Sequence, residues 1–187
     1  MTSILKADTI QDAAGNNIIN ESGNTITIGA SGDTTNIIGT LQNDGAAVAN
    51  TPAFMVKLSG TQNITTATWT KITFDSEVYD TGSTFASNKF TPGVAGKFNF
   101  YLGITLDDLD DDKLLQAQIY KNGSGQGTSL VQTVGNNGNK HSLNLSWSDI
   151  ANTTDYYEGY VYHNIGSTEE LRVDYQTIFM GYKVIGA

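Results

Sequence analysis

The run from Phe90 to Leu106 constrains this chain more than any other segment. It reads Phe90-Thr91-Pro92-Gly93-Val94-Ala95-Gly96-Lys97-Phe98-Asn99-Phe100-Tyr101-Leu102-Gly103-Ile104-Thr105-Leu106, a proline-glycine turn feeding a stretch with large apolar residues at every second position. An extended chain points Phe98, Phe100, Leu102, Ile104 and Leu106 to one face, where they are buried together. Lys97, Asn99, Tyr101, Gly103 and Thr105 turn to the other face. Pro92 fixes its own φ and donates no hydrogen bond, while Gly93 and Gly96 tolerate positive φ. The turn therefore sets the register, and the register sets which face is core. The segment is a β-strand, and the protein is expected to be built from them.

Composition agrees. The 187 residues include 20 Gly, 2 Pro and no Cys, which fits one turn-rich β domain with an appendage and no disulfide framework. A formal net charge of -9, with only 10 Lys+Arg, argues against nucleic acid or an anionic membrane as partner. No apolar run is long enough to cross a bilayer, and Met1 to Lys6 lead into polar sequence in place of a signal-peptide core. The expectation is a soluble, acidic protein made in the cytosol.

The texture changes near Thr51-Pro52. Before it, Ile18, Ile19, Ile26, Ile28, Ile37 and Ile38 fall in very short apolar groups separated by Gly, Asn, Ser and Asp, with no aromatic residue among them. Such strands bury too little area to offset backbone ordering when one chain stands alone. Winding with identical copies brings these isoleucines against their counterparts, so residues 13 to 50 are expected to form an intertwined β shaft. A flexible linker is the alternative reading of the same composition.

After Pro52 the strands lengthen. Candidates are Phe54 to Leu58, Thr68 to Phe74, Lys97 to Leu106, Leu114 to Tyr120, Ser129 to Val134, His141 to Trp147, Tyr156 to Tyr162, and Leu171 to Ile185 in one or two pieces. Turn signals at Ser59-Gly60, Asp80 to Gly82, Asn122-Gly123, Asn136 to Gly138, Asn152 to Asp155 and Ile165-Gly166 separate them. Short strands at this spacing without helical period indicate an all-β antiparallel sandwich of jelly-roll size.

Several of these segments fall in an order that resembles a family. Phe90-Thr91-Pro92 with Gly96-Lys97-Phe98-Asn99-Phe100, then Asp155-Tyr156-Tyr157, then Tyr160 to Gly166, then Phe179 to Ile185 is similar to the globular-head jelly roll of the complement and tumour-necrosis-factor type. The chain departs from that pattern at Phe98, where the family has Tyr, in one extra residue between Pro92 and Gly96, and in Thr154 before Asp155. The resemblance covers residues 54 to 187 and implies a tight homotrimer. A second resemblance lies at the N-terminus. Ser3 to Asp12, Gly15 to Ile19 and Gly23 to Asp33 resemble the opening of fibre and decoration proteins of marine tailed phages. That implies a virion anchor over residues 1 to 12, with Ile4, Leu5 and Ile10 as its apolar contacts, followed by the shaft and an exposed head.

Chemistry-bearing groups are few. Asp107, Asp108, Asp110, Asp111 and Asp112 place five carboxylates in six positions after a buried strand, an oxygen-rich loop of the kind that holds calcium. The competing reading is a solvated sheet end, and no Asp-x-Asp-x-Asp-Gly loop is present. His141 and His163 sit in alternating strands without a ligand or nucleophile partner, and Asn122 to Gly127 lacks the lysine and helix of a phosphate loop. Glu169, Glu170 and Asp149 are not placed together by any sequence argument. No enzyme is expected.

Tyr156, Tyr157, Tyr160, Tyr162, Tyr175 and Tyr182, with Trp69 and Trp147, exceed what one small core holds. Tyr101, Tyr157, Tyr160, Tyr162 and Tyr182 are therefore the candidates for a head interface or a ligand surface, since tyrosine serves subunit contact and glycan stacking alike. The combined expectation is a homotrimeric virion protein, made in the host cytoplasm and attached to phage capsid or tail proteins by its N-terminus. Its head, residues 54 to 187, is displayed for a host-surface glycan or protein. The alternatives are a capsid decoration protein with a purely structural role, favoured by a length short for a tail fibre, and a secreted lectin-like module, disfavoured by the missing signal sequence.

Overall fold

The computed structural model describes residues 9–11, 13–15, 17–22, 25–28, 31–39, 41–43, 46–109, 112–132 and 139–185. Ile4 and Leu5 of the expected anchor, Asp110 and Asp111, and the turn at Asn136 to Gly138 lie outside them, as does the side chain of Ile18. The chain divides into two compact units, Met1–Val48 and Ala49–Ala187.

In the first unit β1 (Thr9–Gln11), β2 (Asn17–Ser22) and β3 (Thr25–Ile28) form an antiparallel meander, and β4 (Gln42–Asn43) pairs with β5 (Ala46–Ala47). Ile10 pairs with Ile19 and Ile19 with Ile28, so three isoleucines align across the meander. Strand pairing thus joins Ile10, expected in the anchor, to residues expected in the shaft.

The second unit is the expected all-β jelly roll. Its strands are β6 (Ala53–Leu58), β7 (Gln62–Ile64), β8 (Thr70–Lys71), β9 (Ser76–Asp80), β10 (Phe85–Ala86), β11 (Lys89–Phe90), β12 (Gly96–Leu109), β13 (Leu114–Lys121), β14 (Ser124–Gln132), β15 (Asn139–Ala151), β16 (Tyr157–His163), β17 (Glu169–Leu171) and β18 (Asp174–Lys183). The larger sheet runs β7-β17-β12-β18-β6-β9 with β15 on β12, and the smaller runs β10-β11-β16-β13-β14 with β8 on β16; all pairings are antiparallel. The chain crosses to the smaller sheet between β12 and β13 and returns between β14 and β15.

The core follows from alternation. Phe98, Phe100, Leu102, Ile104 and Leu106 are all buried, and the strand continues past a register shift to bury Leu109 as well. Rings from both sheets interlock: Phe54 stacks on Phe90 at 4.3 Å, and Phe100 lies 4.3 Å from Tyr157. Each fully buried ring contributes about 2 kcal/mol or more. Gly181, opposite Phe100 and Phe54, is needed because a Cβ there would come within 2.6 Å of the Phe100 ring.

The structure differs from the sequence expectation in three places. Thr68 to Phe74 contracts to β8, because the Gln62 side chain takes the Lys71 carbonyl and the Thr73 amide that a ladder would have used. Ile72 and Phe74 are still buried. The turn expected over Asn122 to Gly127 needs only Asn122 and Gly123, both at positive φ, and β14 begins at Ser124. Strand β9 has no counterpart in the alternation of the sequence, because it is an edge strand whose Val78 and Tyr79 are exposed.

Candidate interaction surfaces

With the core filled by inward residues, the functional question falls on the outward faces. On the larger sheet, register aligns Ser146, Tyr101, Met180, Met55 and Tyr79 in one row across five strands. The row beside it holds Ser148, Asn99, Tyr182 and Ala53, and the row on the other side Asn144, Gly103, Ile178 and Lys57. One half of the face is polar and internally bonded. The Tyr101 hydroxyl donates to Asn144 Oδ1 (2.6 Å), Ser148 donates to Asn99 Oδ1 (2.7 Å), and Asn99 Nδ2 donates to the Tyr182 hydroxyl (3.3 Å). The ring of Tyr101 lies over Gly103, where a Cβ would meet it at 3.1 Å. On the other half Met55, Ile178 and Met180 form an apolar patch, flanked by Lys57 and Tyr79, that is only half-buried in a single chain.

The five candidate tyrosines therefore separate. Tyr101 and Tyr182 share this face, while Tyr160 and Tyr162 point outward from the smaller sheet. Tyr157 is not a surface residue at all. It is 0 % exposed, packs under Phe100 and Trp147, and donates its hydroxyl to Asp149 Oδ2 at 2.8 Å. Its expected place at an interface is corrected by strand phase, because it shares the inward side with Val161 and His163.

That hydroxyl belongs to a network that ties the two sheets. Lys121 Nζ reaches Asp149 Oδ2 (2.7 Å), Asp155 Oδ2 (3.1 Å) and the Ile150 carbonyl (2.8 Å). Asp155 also accepts from the Asn152 amide (2.8 Å) and from Asn122 Nδ2 (2.8 Å), and Asn122 Oδ1 accepts the Tyr156 amide. The Asn152 amide, then Asn122, then Lys121 hold the Asp155 carboxyl below the usual carboxylate range against its burial. Burial pulls Lys121 down, but Asp149 and Asp155 outweigh it and raise the ammonium above its usual value. Burial first, and Asp149 second, push the Tyr157 hydroxyl up. Asp155 is thus a structural clamp between the β13–β14 turn and the loop before β16.

The acidic loop and the histidines offer less. Asp107 Oδ2 accepts from Arg172 Nη1 at 3.0 Å, and its Oδ1 is buried without a hydrogen-bond partner. Asp108 and Asp112 are exposed at positive φ, and among the described residues no group of three or more His, Cys, Asp or Glu is arranged to hold a metal. His163 is buried, with Nε2 against the Ile64 carbonyl (2.9 Å) and Nδ1 accepting the Ile165 amide. Asp149 pairs near one end of β12 and Leu171, next to Glu170, near the other; eight residues separate the two points, roughly 25 Å at the rise of a strand. No cleft brings those carboxylates together.

In the first unit the isoleucines face solvent within one chain: Ile26 is 68 %, Ile28 56 %, Ile37 51 % and Ile38 93 % exposed, and Ile10 and Ile19 are each 38 % exposed. Tyr120, Lys121, Met55, Ile178 and Met180 were not singled out by sequence reasoning. The parity of each strand against its buried neighbours is the signal that marks Tyr120, Met55, Ile178 and Met180 as outward.

No family model and no curated protein matches the chain. Solved structures do. Murine APRIL aligns with a TM-score of 0.55 at 9 % identity, covering 71 % of this chain and 98 % of that one. The Eiger TNF from S. frugiperda aligns with a TM-score of 0.54 at 10 % identity, covering 72 % and 93 %. The globular domain of zebrafish complement 1qA gives 0.49 at 14 % identity, covering 71 % and 96 %. The likeness to murine APRIL and the Eiger TNF establishes the jelly-roll fold.

Proposed function

We propose that this chain is a non-catalytic, homotrimeric structural protein of a tailed-phage particle. Residues 1–12 attach it to capsid or tail proteins, residues 13–50 form the shaft, and the jelly-roll head is displayed for contact with a host surface. The observation that carries the reading is the isoleucine row of Ile10, Ile19 and Ile28 with Ile26, Ile37 and Ile38, apolar and solvent-facing in a single chain. Burying one such side chain contributes about 2 kcal/mol, so three copies wound together gain what one chain lacks. The half-exposed Met55, Ile178 and Met180 beside a polar, pre-bonded strip give the head a second surface suited to another copy. The resemblance of both segments supports the same assembly.

Deleting residues 1–12 and measuring incorporation into particles tests the attachment. The truncated protein is expected to stay off the particle; if it still joins, the assigned polarity is wrong. Imaging intact particles by electron microscopy separates tail from capsid. Density on capsid faces assigns the protein a decoration role in place of host attachment.

A further inference from the structure

The outward face of the smaller sheet carries an aromatic group that neither the core nor the shaft uses. Trp69 lies 5.5 Å from Tyr162 and 6.2 Å from Tyr120, and Tyr120 stacks on Tyr160 at 3.8 Å. All four rings are half-buried, and none belongs to the buried core. Strand register sets Gln116 opposite Tyr162 and Gln118 opposite Tyr160, so an amide stands beside each of two rings. The Gln118 side chain lies over Gly125, where a Cβ would approach it within 2.6 Å; the absent side chain on β14 makes room for it.

We propose that this surface binds a neutral glycan, with a pyranose C–H face against the rings and its hydroxyls on the glutamine amides. Charge selects the neutral class. Lys71 Nζ and Glu158 Oε1, on the same face, cancel each other at 2.7 Å, and the side chains set opposite Tyr160 and Tyr162 on β13 are uncharged amides. The chain as a whole carries -9, so an anionic polymer is repelled by the molecule. Amphipathic rings that present both apolar area and hydroxyls suit a ligand that alternates C–H patches with hydroxyl groups. The inference rests on the reading of the head as a displayed, trimeric module, since three weak sites on one assembly reinforce one another on a repeating polysaccharide.

The test uses the full chain and its own tryptophan fluorescence. Trp69 sits in the platform, whereas Trp147 packs against the core and serves as an internal reference. The protein is titrated with laminarin, yeast mannan and glycogen as neutral polysaccharides, and with heparin as the anionic one. A saturable response to at least one neutral polysaccharide is expected, with half-saturation about tenfold or more higher in Tyr162→Ala, which keeps Trp69 as the reporter, and unchanged in Val94→Ser. No response to any of the three, an equal half-saturation in Tyr162→Ala, or a response to heparin alone overturns the proposal. Sedimentation of the same samples keeps the two readings apart. Trimers that ignore every neutral glycan sink the platform only, and monomers that bind one sink the assembly only.

Discussion

Gly181 shows how a single missing atom organises the head. With Phe100 and Phe54 pressed against it, Gly181→Ala is expected to cost about 2 kcal/mol through displaced rings, read as a lower denaturant midpoint at unchanged slope. Asp155 makes the opposite contribution, a charge whose removal takes from Lys121 one of its two carboxylates and leaves one oxygen where the Asn152 amide and Asn122 now have two. Asp155→Asn is expected to lose about 2 kcal/mol at neutral pH, measured by chemical denaturation. Because the folded-state pKa of Asp155 is depressed from its ordinary 3.8, its contribution is complete above about pH 4 and disappears as the pH falls through the lowered value. The gap between the wild type and Asp155→Asn should therefore narrow as the pH falls below 3.8; a gap that does not change with pH contradicts the clamp. Asp155 is visible in the sequence as part of a motif, but its role is not, since its partner Lys121 comes from β13, a distant stretch of the chain that only strand pairing brings beside it.

The strands differ in how much of themselves they disclose. The alternation from Phe98 to Leu106 is local, so its buried face reads directly from residue order. The same rule, applied to Tyr157 against Tyr160 and Tyr162, separates core from surface by odd and even position, whereas residue type alone groups them together. Strand β8 and the aromatic group around Trp69 depend on Gln62, Tyr120 and Tyr162, which the fold brings together from distant positions. No local pattern encodes that meeting. In the first unit the reverse holds: short strands are legible, while their isoleucines stay exposed in a single chain. Ile26→Ser with Ile28→Ser is expected to shift association at least tenfold toward smaller species in sedimentation, with the unfolding midpoint of the head unchanged. A lowered head midpoint with intact assembly contradicts that division of labour.

For the molecule as a whole, three features point outward from the single chain: the exposed isoleucines, the half-apolar face of the larger sheet, and a net charge of -9 that disfavours nonspecific clumping. The proposed trimer is an assembly of this kind, specific and closed by rotational symmetry. The jelly-roll fold shared with murine APRIL and the Eiger TNF gives the second unit its shape, and Met1–Val48 forms a compact unit of its own. The decisive experiment is sedimentation equilibrium of the full chain at micromolar concentration. A single species at three times the 20.0 kDa chain mass is predicted, stable on dilution across that range. A monomer would contradict the trimer and, with it, the ordered shaft.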